Sequence, residues 1–344
     1  MNIVVSRSID LLRVFSILFV LILHSKTNLN FSVGWVSALS DIVSNGLGAL
    51  GVPIFFMVSG YLAGFKHTNG ARADSLSSWG RRAGGLLTVY IFWNTLVALL
   101  ALVIIHSGLS LGSFLTTKLA GGFLGIYGLD SEFPIAYQFW FIRELIIFSA
   151  LFFIIDRIIM IYHNFYYFVI LFAFIIFFMA MSERTQISAI VYTAGYLAGR
   201  NDVVLRIMLS PYKHRVWLAV LGGAAFISLI MSTVMKVWIE ISLLSFVLSG
   251  ALFMIWSVIG IVSKGYRMNA IARWAPATFF IFAAHEPFLA LVRKMLAAKF
   301  GSEISYIISP TLVLASLLVF FMLIPQAVKV KMWFIFSGSP PKSA

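Results

Sequence analysis

The chain has 344 residues, 61% of them hydrophobic and 11% charged, with a mean hydropathy of +1.00 and a formal net charge of +13. Soluble domains are about a quarter charged, so this composition excludes a water-soluble globule and specifies a polytopic membrane protein. There is no cysteine, which excludes disulfides and thiolate chemistry.

The apolar runs are near-continuous and about 20 residues long. That is the length of a helix crossing a bilayer, not of the alternating ten-residue strands of a barrel. Spans are predicted at roughly 8–27, 46–65, 84–106, 137–156, 164–182, 186–200, 215–235, 239–263, 274–295 and 306–328. The expected fold is therefore all-α, a polytopic membrane helix bundle of about ten transmembrane helices. It forms one domain over 1–336, with a disordered tail at 337–344. Arg7 and Arg13 precede the first run as they would in a secretory signal. However, His24, Ser25 and Lys26 follow it in place of a small-residue cleavage site, which reads as a retained helix. With ten spans, both termini share a side. Basic residues divide about two to one in favour of that side, which predicts both termini in the cytoplasm. The same asymmetry accounts for the positive charge without a nucleic-acid partner. No internal repeat suggests a duplicated transporter.

In the first span Arg13 and His24 stand eleven residues apart. That separation returns both to one helix face, roughly 16 Å apart along the axis. Ionisable groups inside a bilayer are costly and mark functional sites by default. His24 is suited to taking and giving protons near neutral pH. Arg13, with Asp10 three residues before it, can fork onto phosphate or carboxylate. The second span carries the run Gly46-Leu47-Gly48-Ala49-Leu50-Gly51, whose glycines permit close helix packing or an irregular, cavity-lining backbone. Arg81 and Arg82 sit at the cytoplasmic mouth of the third span and can add to an anion site. The long segment 107–136 is glycine-rich and is expected to pack down on the bundle. Glu144 opens the fourth span after Trp140. Its depth resembles that of His24, and a carboxylate beside a long apolar run needs a partner. A Glu–His pair would fix the imidazole tautomer for general-base chemistry. In the ninth span His285 and Glu286 precede Pro287, which bends the helix, and both are expected to line the interior. No spacing of these residues suits a metal.

Four stretches carry a resemblance. They are Ile9-Asp10-Leu11-Leu12-Arg13 followed by His24, Phe55-Phe56-Met57-Val58-Ser59-Gly60-Tyr61-Leu62, Phe139-Trp140-Phe141-Ile142, and Phe282-Ala283-Ala284-His285-Glu286-Pro287. Together they resemble the acyltransferase-3 family of integral membrane acyltransferases. The resemblance implies an O-acetyltransferase of the bacterial cytoplasmic (inner) membrane. It would move acetyl from cytoplasmic acetyl-CoA to a hydroxyl of a surface carbohydrate such as O-antigen or exopolysaccharide, among membrane lipid. On that reading Arg13, with Arg81 and Arg82, holds CoA, while His24 acts as base, oriented by Glu144. Asp10, Tyr61, Trp140, His285 and Glu286 line the substrate path. The sequence departs from the family where Arg81-Arg82 runs into Ala83-Gly84-Gly85 without the further basic residues and proline often found there. A pantetheine arm is roughly 15 Å long, close to the Arg13–His24 separation. The competing reading is a transporter of a small acid or lipid-linked saccharide, with the same His, Arg and Glu residues as a proton relay.

Overall fold

A computed structural model describes residues 3–27, 29–68, 76–107, 112–131, 133–161, 182–201, 215–233, 239–265, 268–325, 328 and 331–332. The expected fifth span at 164–182, apart from its last residue, and the expected tail at 337–344 lie outside the described residues. The α-helices are α1 (Ile3–Ser25), α2 (Gly34–Ser40), α3 (Gly51–Thr68), α4 (Leu76–His106), α5 (Ser113–Ala120), α6 (Gly122–Ile126) and α7 (Trp140–Ile161). They continue with α8 (Glu183–Arg200), α9 (Arg215–Thr233), α10 (Ile239–Ser263), α11 (Asn269–Ala272), α12 (Thr278–Phe300) and α13 (Ser302–Leu323). No strand occurs among the described residues.

Seven stretches of the described residues are long and apolar enough to cross a membrane: Ile3–Ser25, Gly34–Phe65, Ala83–His106, Tyr137–Ile155, Ile241–Ser263, Asn269–Phe300 and Ser302–Leu323. The protein is an all-helical, multi-pass membrane protein. Each of the seven coincides with an expected span. The expected seventh span appears as a shorter apolar helix, Val216–Ser232. The expected sixth is α8, whose polar ends (Glu183, Arg184, Gln186, Arg200) and two glycines leave too little apolar length.

Two compact units are present, Met1–Ala71 with Met181–Met322, and Arg72–Ala180 with Leu323–Ala344. In the first, α1 packs against α3, α10 and α12. Its buried arc includes Leu11, Leu12, Val14, Ile17, Val20 and Leu21. Lipid tails are as apolar as these side chains, so close packing and hydrogen bonds, not escape from water, hold such helices together. Glycine makes that contact tightest between α3 and α8. Gly60 and Gly64 on α3 face the carbonyls of Tyr192 and Tyr196, while Gly195 and Gly199 on α8 face those of Met57 and Tyr61. A methyl at any of the four would collide with facing backbone, so two reciprocal small-xxx-small faces interlock.

The second expected span starts earlier than residue 46, at Gly34. From Gly34 the chain runs through α2, a π-helical turn at Asp41–Gly46 and a 3-10 turn at Leu47–Leu50 into α3. Side chains of this irregular stretch grip α1. Ser44 Oγ donates to the Ile22 carbonyl at 2.8 Å and lies 3.0 Å from the Tyr306 hydroxyl. Lys26 pairs with Asp41, which also accepts from Asn45 Nδ2 at 2.8 Å. A Cβ at Gly48 would lie 2.9 Å from the Leu23 backbone.

In the second unit α4 packs against α7. The segment after α4 folds into α5 and α6 and caps this pair. Tyr90 on α4 donates to the Tyr127 carbonyl at 2.7 Å, and Thr95 lies 2.7 Å from the Tyr127 hydroxyl. Asn94, fully buried, accepts from the Ala136 N–H at 3.1 Å. From α7, Arg143 donates to the carbonyls of Gly128 and Ser131. Gly128 adopts φ +58°, with Pro134 N 2.6 Å from where a Cβ would stand, so glycine is required there.

Candidate functional site

The chemistry-bearing cluster of the first unit forms where the C-terminal end of α1 meets the middle of α12. Helix 1 stays regular to its end because it holds neither glycine nor proline. Ser25 Oγ closes its last turn on the Ile22 carbonyl at 2.6 Å. His24, on that last turn, faces α12, and its ring centroid lies 5.4 Å from that of His285. Its Nδ1 is 3.9 Å from Glu286 Oε2, an ion-pair separation longer than a hydrogen bond.

Helix α12 supplies the remainder. A 3-10 turn carrying Pro276 leads into it, and Gly301 at φ +88° ends it. Pro287 brings no N–H to the Ala283 carbonyl, which loosens the ladder one residue after the functional pair. His285 is fully buried, and its Nδ1 lies 2.6 Å from the Phe282 carbonyl. A carbonyl only accepts, so Nδ1 is assigned the proton and Nε2 presents its lone pair. That Nε2 has no hydrogen-bond partner among the described residues and stands 4.0 Å from Glu286 Oε2. One carboxylate oxygen thus faces two imidazoles. The other, Oε1, is 3.5 Å from Arg293 Nη2. Arg293 Nη1 donates to the His24 carbonyl.

His24, His285 and Glu286 are therefore brought together, as three titratable side chains with the Glu286 carboxylate about 4 Å from each imidazole. Arg13 lies 4.0 Å from Asp10, and each side chain keeps 40% of its surface accessible. The pair sits about half a hydrocarbon thickness away from His24, roughly 16 Å along α1. Tyr61 is buried on α3 and stacks on Phe65 at 5.9 Å. Its hydroxyl has no hydrogen-bond partner among the described residues. Glu144 and Trp140 belong to the second unit, on the first turns of α7, where Glu144 is buried. Arg81 and Arg82 lie on α4 of that unit, and their side chains fall outside the described residues. Among the described residues no group of three His, Cys, Asp or Glu has metal-ligand geometry.

Sequence reasoning missed Arg293, which it counted only among basic residues beyond the membrane. The signal was present. Glu286 and Arg293 are seven residues apart, two turns along one face of an apolar helix.

The fold is that of a multi-pass membrane protein with titratable side chains meeting between its helices. A family model described as an acyltransferase domain matches residues 6–329, nearly the whole chain and all of the residues above. The chain belongs to the acyltransferase-3 family and is a membrane acyltransferase. No curated protein and no solved structure matches it.

Proposed function

We propose that the protein moves an acetyl group from cytoplasmic acetyl-CoA to a hydroxyl of a cell-surface polysaccharide, with His24 as general base. The observation that carries this reading is the enclosed His24–Glu286–His285 cluster at one end of a helix whose other half bears Arg13. With both termini in the cytoplasm, Arg13 lies near the inner mouth and His24 near the outer face of a bacterial cytoplasmic membrane. Arg13, with Arg81 and Arg82, holds a CoA phosphate, and the pantetheine arm spans the roughly 15 Å to His24. His24 removes the proton of the acceptor hydroxyl, whose oxygen attacks the thioester carbonyl. The carbon–sulfur bond breaks, and the proton leaves with CoA as its thiol. A positioned histidine base contributes about 10²–10⁴ in rate. A carboxylate that stabilises imidazolium strengthens it. Glu286, beside Nδ1, and Glu144, at the head of α7, are the two candidates for that role.

The test is acetyl-CoA binding and acyl transfer by the purified chain in nanodiscs. Arg13→Ala is expected to lose binding, and His24→Ala to keep binding but lose transfer. Glu286→Gln and Glu144→Gln, compared side by side, assign the supporting carboxylate. Folded wild-type protein that neither binds acetyl-CoA nor consumes its thioester refutes the proposal.

A further inference from the structure

Arg293 is the buried charge on α12 that the reaction just described does not use. Its side chain is 6% exposed, inside a stretch long and apolar enough to span a bilayer. A cation there has to be held by partners, and its partners are informative. One guanidinium nitrogen donates to the His24 carbonyl, on the last turn of α1. The other lies 3.5 Å from Glu286 Oε1, two turns back along its own helix. The backbone at the same residue is anchored as well, because the Arg293 carbonyl accepts from Ser305 Oγ of α13 at 3.0 Å. Arg293 thus touches the main chain of the histidine and the side chain of the carboxylate facing that histidine, while α13 fixes where the arginine itself stands.

This arrangement fixes the two coordinates that an imidazole–carboxylate pair needs. The bond to the His24 carbonyl sets the position of the His24 backbone relative to α12. The contact with Oε1 occupies one carboxylate oxygen of Glu286 and turns the other, Oε2, toward His24 Nδ1 and His285 Nε2. A planar fork can reach two acceptors at a fixed angle, whereas the single ammonium of a lysine is a point charge on a flexible stem.

We propose, on the acyl-transfer reading above, that Arg293 is a positioning residue that sets the register of His24 against Glu286. It touches neither donor nor acceptor. Its loss misplaces the pair by about an ångström, which costs on the order of a hundredfold in rate, and leaves acetyl-CoA binding as it was.

The experiment uses the full chain, labelled with 15N-histidine, in nanodiscs. Wild type, Arg293→Lys and His24→Ala are compared for thermal stability, acetyl-CoA binding, kcat and KM, and imidazole nitrogen resonances, with His24→Ala assigning the His24 signals. The expected result for Arg293→Lys is a kcat lower by about a hundredfold, with KM and binding within about twofold and a shift of the His24 resonances. A folded Arg293→Lys protein with wild-type kcat, or with lowered kcat but unmoved His24 resonances, overturns the proposal. Should the lysine variant not fold, the Glu286→Gln/Arg293→Gln protein removes both charges together and is compared with Glu286→Gln alone. Residues acting as a unit give a double variant no slower than the single, and additive losses overturn the proposal. If wild-type protein transfers no acetyl group, the acyl-transfer reading fails. The His24 resonances then still report whether the guanidinium sets the imidazole.

Discussion

Glu286 and Arg293 form an ion pair whose removal can be calculated in direction and approximate size. Their side chains are 10% and 6% exposed, and the charges lie 3.5 Å apart. Replacing Glu286 by Leu leaves the guanidinium buried without its counter-charge, and replacing Arg293 by Met strands the carboxylate. Breaking one side of a buried pair costs about 3–5 kcal/mol. Replacing both at once strands neither charge. The His24 carbonyl then still accepts from the Thr27 N–H at 3.2 Å, so no main-chain acceptor is orphaned. The double variant should lose only about 1 kcal/mol, the net worth of an ordinary hydrogen bond. The cycle therefore predicts a coupling of about 5 kcal/mol or more between the two positions. Equilibrium unfolding by steric trapping in bicelles measures it. In thermal scans a 3 kcal/mol loss corresponds to a fall in Tm of about 6–12 °C for chains of about 150–250 residues. Single variants each losing under about 1 kcal/mol, with additive losses in the double, would refute the reasoning and make the pair an exposed one.

At the α3–α8 contact, Gly195→Leu should cost more than the about 1–3 kcal/mol typical of overpacking, because its Cβ meets the Met57 carbonyl rather than a movable side chain. Gly223→Leu on α9, where an added Cβ meets nothing within 4 Å, serves as the control in the same unfolding assay, and equal losses at the two sites would contradict the interlock. In the second unit, Asn94→Ala removes the acceptor for the Ala136 N–H, an unsatisfied buried donor worth about 1–3 kcal/mol. Hydrogen exchange should rise across 112–139 with little change in α1, and unchanged protection there would remove Asn94 from the list of cap anchors.

Legibility followed periodicity. Arg13 and His24 could be placed on one face of α1 because eleven residues fix an angle on any straight helix. The spans at Ile241–Ser263 and Ser302–Leu323 could be read because no charged residue interrupts the first, and none follows Glu303 in the second. Contacts between helices carry no such signature. His24 faces Glu286 through the packing of α1 on α12, a contact that neither helix angle nor span depth encodes, while matching depth is what put Glu144 forward. Arg293 was hidden by a rule that is sound on average, since a basic residue near a span end usually marks topology. The stretch before Gly46 fell outside the expected second span, which began at about 46. It continues as helix because its polar side chains find partners: Ser40 on the Ser37 carbonyl, Ser44 on Ile22, and Asp41 on Lys26.

The α3–α8 pair has a mechanical consequence. Helices that meet through side chains can slide as rotamers exchange, but Gly60, Gly64, Gly195 and Gly199 set backbone against backbone at four points of the seam. The pair can only travel as one stiff keel. Whatever rearrangement turnover requires in the first unit falls to seams lined by adjustable side chains, above all that between α1 and α12, where the two histidines stand.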